Sequence, residues 1–306
     1  MAVAIDAVAD GFAALSAGQT TVPLRSRIGL GAGAVALTMP AGRDGSPYHA
    51  VKVVSVVPAN PGRGRPLVAA TVLLTDAASG ELLALIDGNS VTALRTGAAG
   101  GVAARFLALP DARVVALFGA GPQAREQLLA LVAVRAIAEV RVVTRSLEHA
   151  EMLFRWAAER PELSRVRLEA GNADTAVTGA GIVVTATSSP VPVFAGTLLE
   201  PGVHITAVGA FTPDTRELDE ATMRGATVFV DHRPAALAEA GELQGLRPED
   251  VREIGDVIAR RVPGRSAADE RTVFKSVGNA IQDLVVATAV YDRSRELGLG
   301  EEISFP

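Results

Sequence analysis

The chain has 306 residues, of which 49% are hydrophobic and 21% charged, a composition that excludes extended disorder. Its length predicts two domains, and the absence of cysteine excludes disulfides, thiolate metal sites and a cysteine nucleophile. The formal net charge of -5 gives no electrostatic reason to expect nucleic acid or an anionic membrane as a partner.

The N-terminal segment predicts an amphipathic helix at about residues 3–17. Asp6 and Asp10 interrupt its apolar run and no basic leader precedes it, which argues against a signal peptide. Further along, the uncharged segment 175–199 contains too many glycines and prolines for a membrane-spanning helix. We therefore expect a soluble, cytoplasmic protein.

The first third of the chain is rich in predicted strands. Apolar and β-branched segments, bounded by Gly, Pro or Asn, follow the first helix, and the last two of them form a hairpin around residues 77–80. Ser90 is a candidate N-cap for a long helix that ends at Pro110. The many Gly and Ala residues of this helix would let a neighbouring element approach closely.

From about Leu109 onward, strands alternate with helices, a pattern typical of βαβ units in a parallel sheet. After the last of these strands, in residues 227–233, we expect helices to dominate. The predicted strands lie in residues 113–118, 140–146, 166–171, 181–189, 204–210 and 227–233.

A glycine-rich turn of the form G-x-G-x-x-A follows the first strand of this region and opens a helix. Small residues allow a tight turn and close approach of a pyrophosphate to the helix N-terminus, so the pattern predicts a dinucleotide site. The alternative is a tight strand–helix turn without a ligand. The predicted cofactor-binding residues here are Gly119, Ala120, Gly121, Pro122, Gln123 and Ala124.

The residues after the second strand of this region bear on which dinucleotide is bound. Thr144, Arg145 and Ser146 stand where an acidic residue would hold the ribose of NAD, and a basic residue there favours a 2′-phosphate. We therefore predict NADPH as the cofactor, with NADH as a weaker one, unless Arg145 is an ordinary solvated arginine. Thr187 and Ser188 follow a later strand and are also predicted to contact the cofactor.

The chain resembles the ornithine cyclodeaminase/mu-crystallin family over nearly its whole length. The segments that carry the resemblance are VPLR, LTMPA, VKVVSVVPAN, LIDGNSVTALRTGAA, FGAGPQA, TAVGAFTPDTRELD and TVFKSVG. The resemblance implies an α/β fold, with a Rossmann-type doubly wound domain at 109–275 inserted into an α+β substrate and dimerisation domain formed by 1–108 and 276–306. It also implies a homodimer, and it places Lys275 and Gly278 near the cofactor.

The resemblance further implies that basic residues of the first domain bind the carboxylate of an amino or imino acid. The matching positions are Arg25, Lys52 and Arg95. A buried carboxylate needs charge-assisted donors, and Lys52 lies among valines, where an unpaired ammonium is costly unless it meets an anion. We predict that all three bind substrate and that Lys52 and Arg95 are catalytic, although each singly could be a surface cation.

Two apolar residues argue against cyclodeaminase chemistry. Phe211 stands where cyclodeaminase members carry an aspartate, and Leu37 stands where they carry a glutamate before the Met-Pro dipeptide. Both replacements remove acid–base groups, whereas Phe211 suits the wall of a pyrroline or piperideine ring. The resemblance therefore predicts a ketimine reductase that forms L-proline or L-pipecolate from Δ1-pyrroline-2-carboxylate or Δ1-piperideine-2-carboxylate.

Other functions remain open at this point. They are another amino- or imino-acid dehydrogenase similar to alanine dehydrogenase, an ornithine cyclodeaminase, and a non-catalytic, crystallin-like ligand-binding protein. The four histidines lack metal-ligand spacing, so we expect no metal. His204 is predicted to be a strand residue with a local hydrogen bond, and His49 is a weak candidate for a proton donor.

Overall fold

The computed structural model describes residues 1–303, in which the strands form one antiparallel sheet and one parallel sheet. The antiparallel sheet contains β1 (Thr20–Thr21), β2 (Ser26–Gly31), β3 (Ala34–Arg43), β4 (Tyr48–Val56), β5 (Val68–Asp76) and β6 (Leu82–Asp87). The parallel sheet contains β7 (Val114–Phe118), β8 (Glu139–Val143), β9 (Arg167–Ala170), β10 (Ile182–Thr185), β11 (His204–Ala207), β12 (Ala226–Val230), β13 (Val251–Glu253) and β14 (Arg271–Lys275).

Helices cover both sheets, and short 3-10 turns occur in several of the connections. The α-helices are α1 (Ala2–Ser16), α2 (Gly88–Leu107), α3 (Pro122–Val134), α4 (Leu147–Ala158), α5 (Ala173–Val177), α6 (Glu220–Met223), α7 (Arg233–Glu239), α8 (Ile254–Ile258) and α9 (Ala280–Leu297). No helix within residues 1–303 combines the length and the apolar character that crossing a bilayer requires.

The antiparallel sheet has the order β1-β3-β4-β5-β6, with β2 also paired to β3. Side chains alternate between its faces, so Leu37, Met39 and Lys52 share one face, where Met39 lies opposite Lys52. The helices α2 and α9 pack on this sheet, and α1 packs on both of them. The core of this part of the chain therefore includes the end of the sequence as well as its beginning.

The N-cap of the long helix α2 lies three residues earlier than the sequence predicted. Asp87 is its N-cap, and its carboxylate accepts hydrogen bonds from the backbone N–H groups of Asn89 and Ser90. The prediction of Ser90 as N-cap is therefore wrong; its hydroxyl instead donates to Asp87 at 2.6 Å. The glycines of α2 admit α3, because a Cβ at Gly97 would lie 2.6 Å from the backbone of Glu126.

The parallel sheet has the order β13-β12-β14-β11-β10-β7-β8-β9, and its strand order reverses between β7 and β10. This confirms the predicted Rossmann-type doubly wound sheet. Helices dominate after β12 as expected, but the sequence did not predict the two further strands: β14 lies between β11 and β12, and β13 is added at the edge. A buried strand of five residues cannot be distinguished from a helix segment by its hydrophobic period.

The chain returns to the antiparallel sheet between the last strand and the last helix. β14 ends at Lys275 in the parallel sheet, and α9 begins at Ala280 and packs on α1, β3 and β4. The segment between them crosses the carboxyl edge of the parallel sheet. The domain boundaries at 108/109 and 275/276 stay a proposal.

Candidate active site

The glycine-rich turn after β7 lies at the point where the strand order reverses. Gly119 has a φ of 111°, and a Cβ there would lie 2.5 Å from the carbonyl oxygen of Ala186, which follows β10, so only glycine fits. Gly121 is the N-cap of α3, and among the described residues no heavy atom lies within 4 Å of a Cβ built on it. Ala124 is buried against the sheet. This open helix N-terminus fits the pyrophosphate of a dinucleotide.

We call this site the dinucleotide crevice: Gly119 to Ala124, with the loops that follow β8, β10 and β11. Arg145 lies two residues beyond the end of β8, is exposed, and forms no ion pair within residues 1–303. The Thr144 hydroxyl donates to the carbonyl of Ser146 at 2.6 Å. The guanidinium charge of Arg145 is therefore available to an anion outside the chain.

A buried carboxylate holds the crevice loops together. Glu217 is fully buried and accepts hydrogen bonds from the Thr185 hydroxyl at 2.9 Å and from the N–H of Gly209 at 2.7 Å. The N–H and hydroxyl of Thr187 also donate to it, each at 2.7 Å. Glu217 thus ties together the carboxyl ends of β10 and β11. Sequence reasoning missed it because its donors are distant in sequence, and Ser188 beside them is exposed.

Lys52 and Arg95 lie in the interior and share one carboxylate. The Nζ of Lys52 is 2.9 and 2.8 Å from the two oxygens of Asp283, and the Nε of Arg95 is 3.3 Å from one of them. Arg95 also donates to the amide oxygen of Gln282 at 2.7 Å. Burial lowers the pKa of Lys52 to about 8; Asp283 opposes this effect, and Arg95 and Arg25 add to it. The anion that the position of Lys52 demands is thus supplied first by the chain itself.

Arg25 approaches the same place from the start of β2. Its Nη2 donates to the carbonyls of Val277 at 3.0 Å and Gly278 at 2.8 Å, and it lies 2.7 Å from a carboxylate oxygen of Glu239. Gly278 has a φ of 74°, and a Cβ there would lie 2.3 Å from Nη1 of Arg95. Both arginines therefore contact Gly278, whose backbone admits no side chain.

We call Arg25, Lys52 and Arg95, with their counter-ions Asp283 and Glu239, the cation cluster. Three cations face these two carboxylates, and a third buried carboxylate, Asp231, lies beside them and accepts from the N–H of Gly278 at 2.9 Å. Within the described residues only the Nη2 of Arg25 is engaged in hydrogen bonds, so its other nitrogens are free to donate. The structure thus brings the three sequence-predicted cations together.

A small recess, partly open to solvent, lies beside Arg25. Glu239, His232 and Asn279 are among the residues that line it. Burial raises the pKa of Glu239, with Asp231 adding to the rise and Arg25 acting against it. Sequence reasoning missed Glu239 because an acidic residue in a short helix normally has a solvated side chain.

Two other predicted site residues, Phe211 and Lys275, and the apolar replacement Leu37 lie outside the cation cluster. Phe211 lies in the loop after β11 with 45% of its surface exposed, outside the recess. The ammonium of Lys275 is fully buried, 2.7 Å from the carbonyl oxygen of Ala210 and 3.2 Å from the carboxylate of Glu242. Leu37 packs in the core of the first sheet.

The histidines do not form a site. His204 is buried in β11 and hydrogen-bonds to Thr272 at 3.0 Å and Thr206 at 3.1 Å, and burial lowers its pKa to about 3. His49 lies on β4 three residues before Lys52 and therefore on the opposite face, so the suggestion that it donates a proton is wrong. Residues 1–303 contain no group of three or more His, Asp or Glu side chains suited to a metal ion.

Comparison with known proteins places the chain among relatives of similar length. The model of the ornithine cyclodeaminase/mu-crystallin family matches residues 1–298. A Δ1-pyrroline-2-carboxylate reductase of Bacillus cereus is 38% identical over 299 residues, which cover 95% of this chain and 91% of the relative.

Two solved structures are similar over almost the whole fold. One is the Δ1-pyrroline-2-carboxylate reductase of Thermococcus litoralis in complex with NADH and L-proline, with a TM-score of 0.91, 35% identity and coverage of 98% of this chain and 95% of the other. The second is an archaeal alanine dehydrogenase dimer with bound NAD, with a TM-score of 0.92, 33% identity and coverage of 100% and 95%.

Proposed function

The chain belongs to the ornithine cyclodeaminase/mu-crystallin family, and we propose that it reduces the cyclic ketimines Δ1-pyrroline-2-carboxylate and Δ1-piperideine-2-carboxylate to L-proline and L-pipecolate. It is an NAD(P)H-dependent oxidoreductase of C=N and CH–NH groups. One observation carries the proposal: the cation cluster lies where the chain crosses the carboxyl edge of the parallel sheet, beside the dinucleotide crevice, and Arg25 engages only its Nη2 within residues 1–303. A substrate with one carboxylate and a reducible carbon fits this pair of sites, because the cation cluster would bind the carboxylate and the cofactor in the crevice would reduce the carbon.

The residues of the chain bind and orient the reactants. A bound nicotinamide dinucleotide would supply the hydride, and the turn from Gly119 to Gly121 with the N-terminus of α3 is suited to hold its pyrophosphate. Arg25, Lys52 and Arg95 hold the substrate carboxylate through charge-assisted donors. Because a protonated imine is already an electrophile, this orientation is the main requirement for reduction. We propose Lys52 and Arg95 as the catalytic residues in this sense.

The proposed cofactor preference is for NADPH, with NADH used less well. Arg145 supports it, because its charge has no partner within residues 1–303 and two hydroxyl residues flank it. We further propose that the cofactor site includes Thr187, Ser188, Lys275 and Gly278. The Thermococcus litoralis reductase and the archaeal alanine dehydrogenase carry NADH and NAD, so the preference depends on this one arginine.

We also propose that the protein is a homodimer joined through the antiparallel sheet. The face of this sheet opposite the core exposes Ile28, Leu30, Val53 and Leu85, each with 40% or more of its surface open to solvent. Large apolar patches of this kind are typical of protein interfaces. The archaeal alanine dehydrogenase of the same fold is a dimer, which makes a second copy of the chain the occupant that we favour.

Substrate assays separate the remaining functions. Purified protein with NADPH should consume each cyclic imine, measured as loss of absorbance at the nicotinamide band. Pyruvate with ammonia tests an alanine dehydrogenase, and L-ornithine with NAD tests a cyclodeaminase. We expect no ammonia release from ornithine, because Phe211 and Leu37 cannot transfer protons. No loss of absorbance with any imine or 2-oxo acid would instead favour a non-catalytic binding protein.

A further inference from the structure

Asn279 is a buried amide that no contact within the chain explains. Only 4% of its surface is exposed, and neither its Oδ1 nor its Nδ2 has a hydrogen-bond partner among residues 1–303. Buried polar groups without partners are rare in proteins because they are destabilising. The extended backbone at Asn279, with a φ of -138° and a ψ of 166°, is open to any residue. Neither packing nor conformation therefore requires an asparagine at this position.

Asn279 also does not cap the helix that it precedes. It is the N-cap of α9, where an asparagine side chain normally accepts a hydrogen bond from the first turn, yet it makes no such bond. By contrast, Asn172 at the start of α5 does cap its helix, because its Oδ1 accepts from the N–H of Thr175 at 3.0 Å. The amide of Asn279 is therefore free for a partner outside the chain.

The surroundings of Asn279 indicate what that partner is. Asn279 lines the same recess as Arg25, and the carbonyl of the preceding residue, Gly278, accepts from Arg25. Gly278 is also in contact with Arg95. The amide thus lies beside the guanidinium groups to which we assign the substrate carboxylate. An amide offers a donor and an acceptor in one plane, and a protonated α-imino acid offers an N–H and a carboxylate oxygen on neighbouring positions.

We propose that Asn279 is a specificity-determining residue that binds the imino nitrogen. Its Oδ1 accepts the ring N–H of the substrate, and its Nδ2 donates to the carboxylate that Arg25 also binds. The proposal depends on the function given above and deepens it. It explains how the site would prefer imino acids to 2-oxo acids, which carry a carbonyl oxygen in place of the N–H and would leave Oδ1 of Asn279 unpaired.

The test compares two planar ligands that differ at one atom. Pyrrole-2-carboxylate has a ring N–H beside its carboxylate, and furan-2-carboxylate has a ring oxygen in the same place. Titration calorimetry with oxidised cofactor present should show that the wild-type protein binds the pyrrole at least about tenfold more tightly. In Asn279→Leu this preference should disappear. A preference of equal size in the two proteins would overturn the proposal.

Thermal unfolding provides a readout that separates binding from structure. Asn279→Leu should leave the melting temperature unchanged or raise it, because an unpartnered polar group is removed. The matched control Asn172→Leu loses a helix cap, so it should lower the melting temperature and leave ligand preference and turnover unchanged. A lower melting temperature in Asn279→Leu with an intact preference for the pyrrole would assign Asn279 a structural role and refute the proposal.

Failure of this inference can be distinguished from failure of the proposed function. If wild-type protein reduces the cyclic imines and Asn279→Leu does so with unchanged kcat/KM, the role of Asn279 is refuted while the function stands. If wild-type protein reduces no imine but shows a pyrrole preference that depends on Asn279, the binding role is supported and the reductase proposal fails.

Discussion

The dinucleotide crevice and the cation cluster are built in opposite ways. The crevice is centred on one local turn, Gly119 to Ala124, which offers mainly backbone groups, and Arg145 beside it has no counter-ion within residues 1–303. The cation cluster joins side chains that are far apart in sequence: Lys52 and Asp283 are separated by 231 positions. Its charges are largely compensated before any ligand binds. A site of the first kind depends on a local motif, whereas a site of the second kind depends on the whole fold.

If this contrast is correct, the largest effect on stability should come from the counter-ion of the cation cluster. Asp283→Asn would leave the buried Lys52 and Arg95 without their shared carboxylate. Removing one partner of a buried ion pair leaves an uncompensated charge, so the free energy of unfolding should fall by about 3–5 kcal/mol. Urea denaturation followed by circular dichroism measures the change.

Glu296 provides the matched control on the same helix. It pairs with Arg293 at 2.7 Å, but both side chains are well exposed. Glu296→Gln should therefore change the free energy of unfolding by less than about 1 kcal/mol. Equal losses of unfolding free energy in the two variants would show that the buried position of Asp283 does not increase the cost of removing its charge.

A second test concerns the charge that the cation cluster offers to substrate. Arg25→Ala should lower kcat/KM for the cyclic imino acid by the equivalent of about 2–5 kcal/mol of transition-state stabilisation, because the substrate anion would lose a half-buried charged partner. The KM for the cofactor should hardly change. Steady-state kinetics with the imine and the cofactor varied in turn measures both quantities.

Arg27 is the control for this arginine. It lies opposite Leu37 in the register of β2 with β3, on the same side of the strand as Arg25, but it is exposed. Arg27→Ala should therefore retain wild-type kinetics. A larger defect in Arg27→Ala than in Arg25→Ala would show that the carboxylate site is centred on the wrong residue.

The difference between a local motif and a site assembled by the whole fold determines what the sequence could predict. The turn from Gly119 to Ala124 requires small residues at fixed spacing, so its position and its place at the sheet edge were both predictable. The burial of Lys52 among valines predicted that it meets an anion, but not that Asp283 is that anion, because tertiary packing alone brings α9 to β4. Glu217 and Asn279 carry no local pattern that reveals their surroundings.

A smaller effect is expected in the dinucleotide crevice, where a substitution at Arg145 should change the KM for one cofactor and not for the other. If Arg145 binds a 2′-phosphate as proposed, Arg145→Ala removes a charge-assisted contact that NADPH can make and NADH cannot. The KM for NADPH should therefore rise by the equivalent of about 1.5–3 kcal/mol, while the KM for NADH stays nearly constant. Equal changes for the two cofactors would refute the assignment of Arg145, and kinetics for the imino acid at saturating cofactor should be unaffected.

The smallest effect expected is a pH dependence that only the cation cluster should show. Burial lowers the pKa of Lys52 to about 8, and the protonated form is the one that binds an anion. Affinity for pyrrole-2-carboxylate, whose own charge is constant in this range, should be level near pH 7 and should fall above pH 8 by at most about tenfold per pH unit. Lys52→Arg should remove this fall, because a guanidinium stays charged.

The predicted loss of affinity above pH 8 would not be caused by Lys52 destabilising the folded protein. Its pKa in the folded protein is below its value of 10.5 in the unfolded chain, so the unfolded state holds the extra proton between about pH 8 and 10.5. The contribution of Lys52 to stability therefore rises with pH in this window, in the opposite direction to the loss of affinity. Calorimetric titration of wild type and Lys52→Arg from pH 6.5 to about 9.5 measures the effect. An affinity that stays constant through pH 9 in the wild type would remove Lys52 from the carboxylate site.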